Sequence, residues 1–194
     1  MDDRVVPGHE GLRVYRSSDI DALADLWVRA WSKTMPSIDF LGRRPWIVEH
    51  LALPARIVVA GEPPAGFAML WPERGELDQL AVDPAAWGTG VADALMGWAK
   101  SVCPTGLWLD VNQDNVRAAG FYRRHGFAVV SAGTNPGGTR PVWRMRYGTA
   151  LEAGGGSSGT EVTVAGVGTD RAVSAGGGVA ATTGAGAEAA GATV

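Results

Sequence analysis

Gly88 and Gly90, separated by Thr89, stand where the chain turns from a strand-like segment into an amphipathic helical one. The first N–H groups of a helix have no partner inside it, and the helix dipole makes that end positive. A loop without bulky side chains lets a phosphate approach those groups closely. The segment is thus suited to an anion, a pyrophosphate above all. Glu76 and Asp78 lie on the strand leading into this loop, and alternation places both carboxylates on one face as candidate proton acceptors. Asn115 and Tyr122 are seven residues apart, two helical turns, so an amide and a phenol share a helix face. A phenol with pKa ~10 stays protonated at neutral pH and is a candidate proton donor.

Three phosphate-binding loops can be compared with residues 87–93. A dinucleotide fingerprint needs a third glycine where Asp93 stands, and a carboxylate there would repel phosphate. A P-loop needs Lys followed by Ser or Thr after its last glycine, but Val91 and Ala92 follow Gly90. The third is the acyl-CoA loop. Leu80-Ala81-Val82-Asp83-Pro84 supplies its strand end, and Trp87, Gly88, Thr89, Gly90, Val91 and Ala92 follow in register. A second segment, residues 109–127, combines a strand, an Asn, a helix with Ala and Phe-Tyr, and a closing Gly-Phe. Its positions are Asn115, Ala118, Phe121, Tyr122, Gly126 and Phe127. On these two motifs, residues 11–147 resemble the GNAT N-acetyltransferases. Trp87 departs from the pattern, which has Gln or Arg there.

The resemblance implies a mixed α/β fold with a mostly antiparallel central sheet flanked by helices. It implies an enzyme moving an acetyl group from acetyl-CoA to a primary amine of a small molecule or peptide. Without a placed Cys nucleophile, the transfer is direct, in a ternary complex. An alkyl amine with pKa ~10 is mostly protonated at neutral pH, so a base must act, often through water. The resemblance favours Glu76 as that base, with Asp78 the other candidate. Tyr122 is the expected acid for the leaving thiolate. Leu80 N–H is the expected oxyanion donor. Leu80, Ala81 and Val82 would meet the pantetheine arm through their backbones. Trp87, Gly88, Thr89, Gly90, Val91 and Ala92 would hold the pyrophosphate, with Asn115 and Tyr122 also touching CoA. Trp31, Met35, Phe40 and Trp46 fall in the region shaping the acceptor pocket. Homodimers are common in the family. A non-catalytic acyl-CoA-binding regulatory module is the alternative.

Composition narrows the rest. A net charge of −3 argues against a nucleic-acid partner held by bulk electrostatics. The single Cys103 forms no internal disulfide, so a reducing, cytoplasmic setting is expected. The acidic start MDDRVVPGHE lacks the apolar region of a signal peptide, and no run approaches a membrane span. Lys33 and Lys100 are the only lysines, a bias typical of high-GC bacterial genomes. His9, His50 and His125 show no ligand spacing, so no metal site is expected. Residues 148–194 contain no aromatic side chain and are rich in Gly and Ala. They read as a disordered tail, and residues 1–10 as a flexible start.

Element by element, a strand is expected at 11–16 and a helix near 19–33, opened by a Ser18–Asp21 capping pair. A helical piece follows within 38–51, then strands at 56–60, 65–71 and 76–82. The helix after Gly88 should bury Val91, Leu95, Trp98 and Val102. A strand at 106–111, a helix at 114–125 and a hairpin of 128–131 with 141–147 complete the domain. Trp27, Trp98 and Trp108 hold core-like positions.

Overall fold

The computed structural model describes residues 5–135 and 140–148. The strands are β1 (Leu12–Val14), β2 (Arg56–Ala60), β3 (Gly66–Trp71), β4 (Glu76–Val82), β5 (Gly106–Asn112), β6 (Ala128–Thr134) and β7 (Pro141–Gly148). The helices are α1 (Ile20–Thr34), α2 (Arg44–Leu51), α3 (Val91–Val102) and α4 (Val116–Arg124). The strands form one sheet in the order β1-β2-β3-β4-β5-β7-β6. Every neighbouring pair is antiparallel except β4 and β5. The expected order of elements is therefore the observed one.

All six residues of β3 are buried, because helices cover both sheet faces. On one face Ala68 and Leu70 pack with Leu95 and Met96 of α3 and Tyr122 of α4. On the other, Phe67, Met69 and Trp71 pack with Trp27 and Trp31 of α1 and Ile47 of α2. Gly66 has no space for a side chain: a Cβ would stand 2.9 Å from Val91 Cγ1 and 3.0 Å from the Ala81 carbonyl oxygen. The first turn of α3 is thereby seated directly on β3 and β4.

The strand β4 leaves its neighbour early. It pairs with β3 along its length, but with β5 only at Glu76↔Trp108. Beyond that pair no bridge joins residues 77–82 to β5. A bulge between Met69 and Leu70 skips Asp78 in the register. Bulges re-aim side chains. Here the consecutive residues Asp78 and Gln79 both reach the α1–α2 side, bonding His50 and Trp27 respectively.

Several expectations need correction. The Ser18–Asp21 cap does not open α1. Asp19 does the local work, accepting the Arg16 backbone N–H at 2.8 Å and two bonds from the Arg13 guanidinium. The second helix is shorter, starting at Arg44 with Pro45 in its first turn. Val91 and Val102 of α3 are only half-buried, and Met96 and Ala99 take their place with Leu95 and Trp98. Trp108 is no core residue: its indole lies half-exposed, donates to the Arg74 carbonyl at 2.9 Å and carries the Arg144 guanidinium on its face. The strand β6 runs to Thr134, longer than expected, and is exposed throughout. The hairpin tip 136–139, the first four residues and the tail from 149 lie outside the described residues. Val5 forms an isolated bridge to Arg13. Among the described residues, no helix is long and apolar enough to cross a membrane.

Candidate active site

The glycine loop forms the N-terminal cradle of α3. Gly88 and Gly90 adopt φ of 80° and 88°, a left-handed region that favours glycine, and a Cβ on either would meet open space. Thr89 pins the loop by donating from both its hydroxyl (2.7 Å) and its N–H (3.3 Å) to the Ala86 carbonyl. The bond from Ala94 N–H to the Gly90 carbonyl, 3.0 Å, opens the helix. The N–H groups of Gly90, Val91, Ala92 and Asp93 thus precede the intrahelical ladder. A cleft of about 230 Å³ lies against this cradle, lined in part by Trp87, Gly88, Gly90 and Ala92 and by Arg117 and Arg124 of α4.

Trp87 turns back onto the end of β4, its indole N–H donating to the Val82 carbonyl at 3.0 Å. That carbonyl is therefore partly engaged before any ligand arrives. The side chains of Leu80 and Val82 join the α3 face of the core, and Ala81 joins the opposite one. Their backbones lie where β4 has left β5.

Three buried polar atoms have no partner on the side of β5 and α4: Asn112 Oδ1, Asn115 Nδ2 and Tyr122 Oη. Asn115 does cap α4, its Oδ1 accepting from Ala118 N–H at 3.1 Å, so only its amide nitrogen is left over. Tyr122 is fully buried, and burial pushes its phenol well above the ordinary range. The hydroxyl remains a proton-bearing donor across the whole working pH range.

Glu76 and Asp78 share a side of the sheet but differ in kind. Burial raises the Glu76 carboxyl to about 6, with the nearby Arg74 charge opposing and Asp78 and Asp110 adding to the rise. Arg74 Nη2 lies 3.1 Å from Glu76 Oε2, yet that oxygen accepts no aligned hydrogen bond. The contact is a charge pair. Asp78 is fully engaged: it meets His50 Nε2 at 3.0 Å, Trp71 Nε1 at 2.8 Å and Gln79 Nε2 at 3.1 Å. Burial alone would raise its pKa, but these donors, His50 foremost, outweigh that and hold it below the usual value. Asp78 is therefore poorly suited to be the base on its own.

His50 is the residue that sequence reasoning passed over. Far from isolated, it carries Asp78 on Nε2, and its ring stacks on Trp46 at 4.6 Å and 18°. A carboxylate at one ring nitrogen fixes the orientation of the imidazole. The partners are 28 residues apart, so no local spacing announces them. Of the residues expected to shape an acceptor pocket, Trp31, Met35 and Phe40 are core, at 1%, 6% and 2% exposure. Trp46, half-buried, is the one left at the rim. Among the described residues no cluster of His, Cys, Asp and Glu could hold a metal.

A family model described as the Acetyltransferase (GNAT) family matches residues 20–127. The chain is 31% identical over 126 residues to the peptidyl-lysine N-acetyltransferase YjaB of Salmonella typhimurium, covering 63% of this chain and 78% of that protein. It resembles the solution structure of apo YjaB from Escherichia coli with a TM-score of 0.62 at 26% identity, over 70% of this chain and 95% of that one. PaiA N-acetyltransferase from Thermoplasma acidophilum, solved in complex with coenzyme A, shares the fold with a TM-score of 0.57 at 19% identity. That alignment covers 70% of this chain and 96% of PaiA. The family model covers more than half of the chain, and its span takes in β4, the glycine loop and α4. The chain belongs to the GNAT acetyltransferase family.

Proposed function

We propose that the chain transfers an acetyl group from acetyl-CoA to a primary amine, by direct attack within a ternary complex. The observation that carries this reading is the early parting of β4 from β5 beside the α3 cradle. The parted strand offers backbone N–H and C=O groups to an extended arm, and the cradle offers N–H groups to a pyrophosphate. The unpartnered Asn115 Nδ2 and Tyr122 Oη fit a ligand with amide and sulfur acceptors lying along α4. A peptide lysine is the favoured acceptor, because the YjaB relative bears that activity in its name.

In this mechanism Glu76 takes a proton from the alkylammonium, directly or through water. The freed amine attacks the thioester carbonyl, and Leu80 N–H receives the developing oxyanion. The C–S bond then breaks, Tyr122 gives its proton to the departing thiolate, and the surplus proton on the new amide nitrogen returns to the phenolate. Glu76 suits the base role because, at about 6, it is ionised at neutral pH yet more basic than an ordinary carboxylate. A second reading makes His50 the base, oriented by Asp78, and the 3.0 Å contact between them favours it. Thiol release from acetyl-CoA, measured over a panel of amines and lysine peptides, tests the function. Turnover lost in Glu76→Gln and kept in His50→Gln supports the first base, and the reverse supports the second. Tight acetyl-CoA binding with no turnover on any amine would favour the non-catalytic alternative.

A further inference from the structure

The cleft beside the glycine cradle has a second wall that no motif announces. Arg117 and Arg124 lie seven residues apart on α4, two turns along one helix face, and both line it. The Arg117 guanidinium sits 3.9 Å from the ring centroid of Trp87. That ring is held in turn by its indole bond to the Val82 carbonyl. Among the described residues, neither arginine pairs with a carboxylate. The one carboxylate lining the cleft, Asp93, is turned onto His125 Nε2 at 2.9 Å. The cleft therefore carries two uncompensated guanidinium charges facing a helix N-terminus.

We infer that Arg117, parked on Trp87, is a phosphate-binding residue for the acyl-CoA co-substrate, with Arg124 assisting from the same helix face. This rests on the acetyl-CoA reading above. A guanidinium held over the face of an aromatic ring spends no N–H donor on a carboxylate, and its donors can match two phosphate oxygens at once. The ring costs the ligand nothing in order, since Trp87 is already fixed by Val82. Trp87 thus brings no charge of its own and supplies the platform that holds one borrowed from α4.

The test is calorimetric binding of acetyl-CoA, acetyl-3′-dephospho-CoA and acetyl-pantetheine to wild type, Arg117→Ala, Arg117→Lys and Trp87→Leu. Arg117 is exposed, so its removal leaves the melting temperature unchanged and folding does not confuse the result. Arg117→Ala is expected to weaken acetyl-CoA at least tenfold and leave acetyl-pantetheine unaltered, with Arg117→Lys and Trp87→Leu between. Loss shared by the dephospho form assigns the diphosphate, and loss confined to acetyl-CoA assigns the 3′-phosphate. Wild-type binding with Arg117→Ala unchanged, or equal loss of acetyl-pantetheine, overturns the inference alone. A wild-type chain that binds none of the three ligands overturns the co-substrate reading along with it.

Discussion

The Asp78 carboxylate and His50 Nε2 stand 3.0 Å apart and join the bulged strand β4 to helix α2. The same carboxylate accepts from the Trp71 indole at 2.8 Å, so one side chain ties a strand, its neighbour and a helix. Asp78→Ala leaves these donors without a partner and is expected to cost about 2–4 kcal/mol in urea unfolding. The folded-state pKa of Asp78 is depressed below 3.8, so its contribution is present above that value and lost as pH falls through the folded one. Wild type should therefore show an acid-unfolding limb below about pH 4 that Asp78→Asn lacks.

Glu76 has the opposite sign. Its folded pKa of about 6 lies above the ordinary 4.5, so the ionised form is penalised in the folded state. Stability falls as pH rises from 4.5 through 6. Glu76→Gln removes that penalty, and its melting temperature should exceed that of wild type at pH 8 and match it at pH 4.5. If Glu76 is the base, the wild-type kcat/KM profile has an acid limb near 6. The substitution then lowers kcat/KM by about 10²–10⁴.

Tyr122→Phe separates chemistry from packing. The ring stays in a fully buried slot between Phe121 and Phe127, so its contacts survive. A buried hydroxyl without a partner costs free energy, so its deletion should stabilise the chain by about 1 kcal/mol. As the acid for the leaving thiolate, the same hydroxyl is expected to contribute at least tenfold to kcat. A rise in melting temperature together with a fall in kcat is the expected pair. Unchanged kcat would reduce Tyr122 to a core residue.

Gly90→Ala tests the cradle. At φ 88° a side chain is strained by about 1–2 kcal/mol, and the added methyl points into open space, which a phosphate fills on the proposed reading. The expected signature is a raised KM for acetyl-CoA with kcat at saturation retained. Equal losses with acetyl-pantetheine would remove the loop from phosphate binding.

The strand β4 and the following loop were readable from sequence because their signals are local. An apolar run, two glycines and an amphipathic helix lie within residues 76–102. The Glu76-to-Val82 strand appears with the expected bounds. The pairing of His50 with Asp78 was not readable, since it depends on a bulge that reorients Asp78 and on a helix 28 residues earlier. Trp108 misled for a related reason. Alternation on β5 sends Leu107 and Leu109 into the core and leaves Trp108 on the face that α1 and α2 do not fully cover. Neither the Arg117–Trp87 stack nor the partly engaged Val82 carbonyl has a counterpart in local sequence, because each joins separate elements across the cleft.

The sheet that parts after Glu76↔Trp108 is, in effect, missing a rung. On the proposed reading the acyl donor supplies it, lending its amides to an edge that the polypeptide leaves bare. Substrate saturation then becomes a late step of folding as well as the first step of catalysis. It would lend the fold a stability set by donor concentration, roughly 2.7 kcal/mol at a hundredfold excess over Kd. Amide hydrogens of residues 77–82 that point away from β3 should exchange freely in the empty chain and slow as the donor is titrated in. A cell short of acetyl donor would hold not merely an idle enzyme but a looser one.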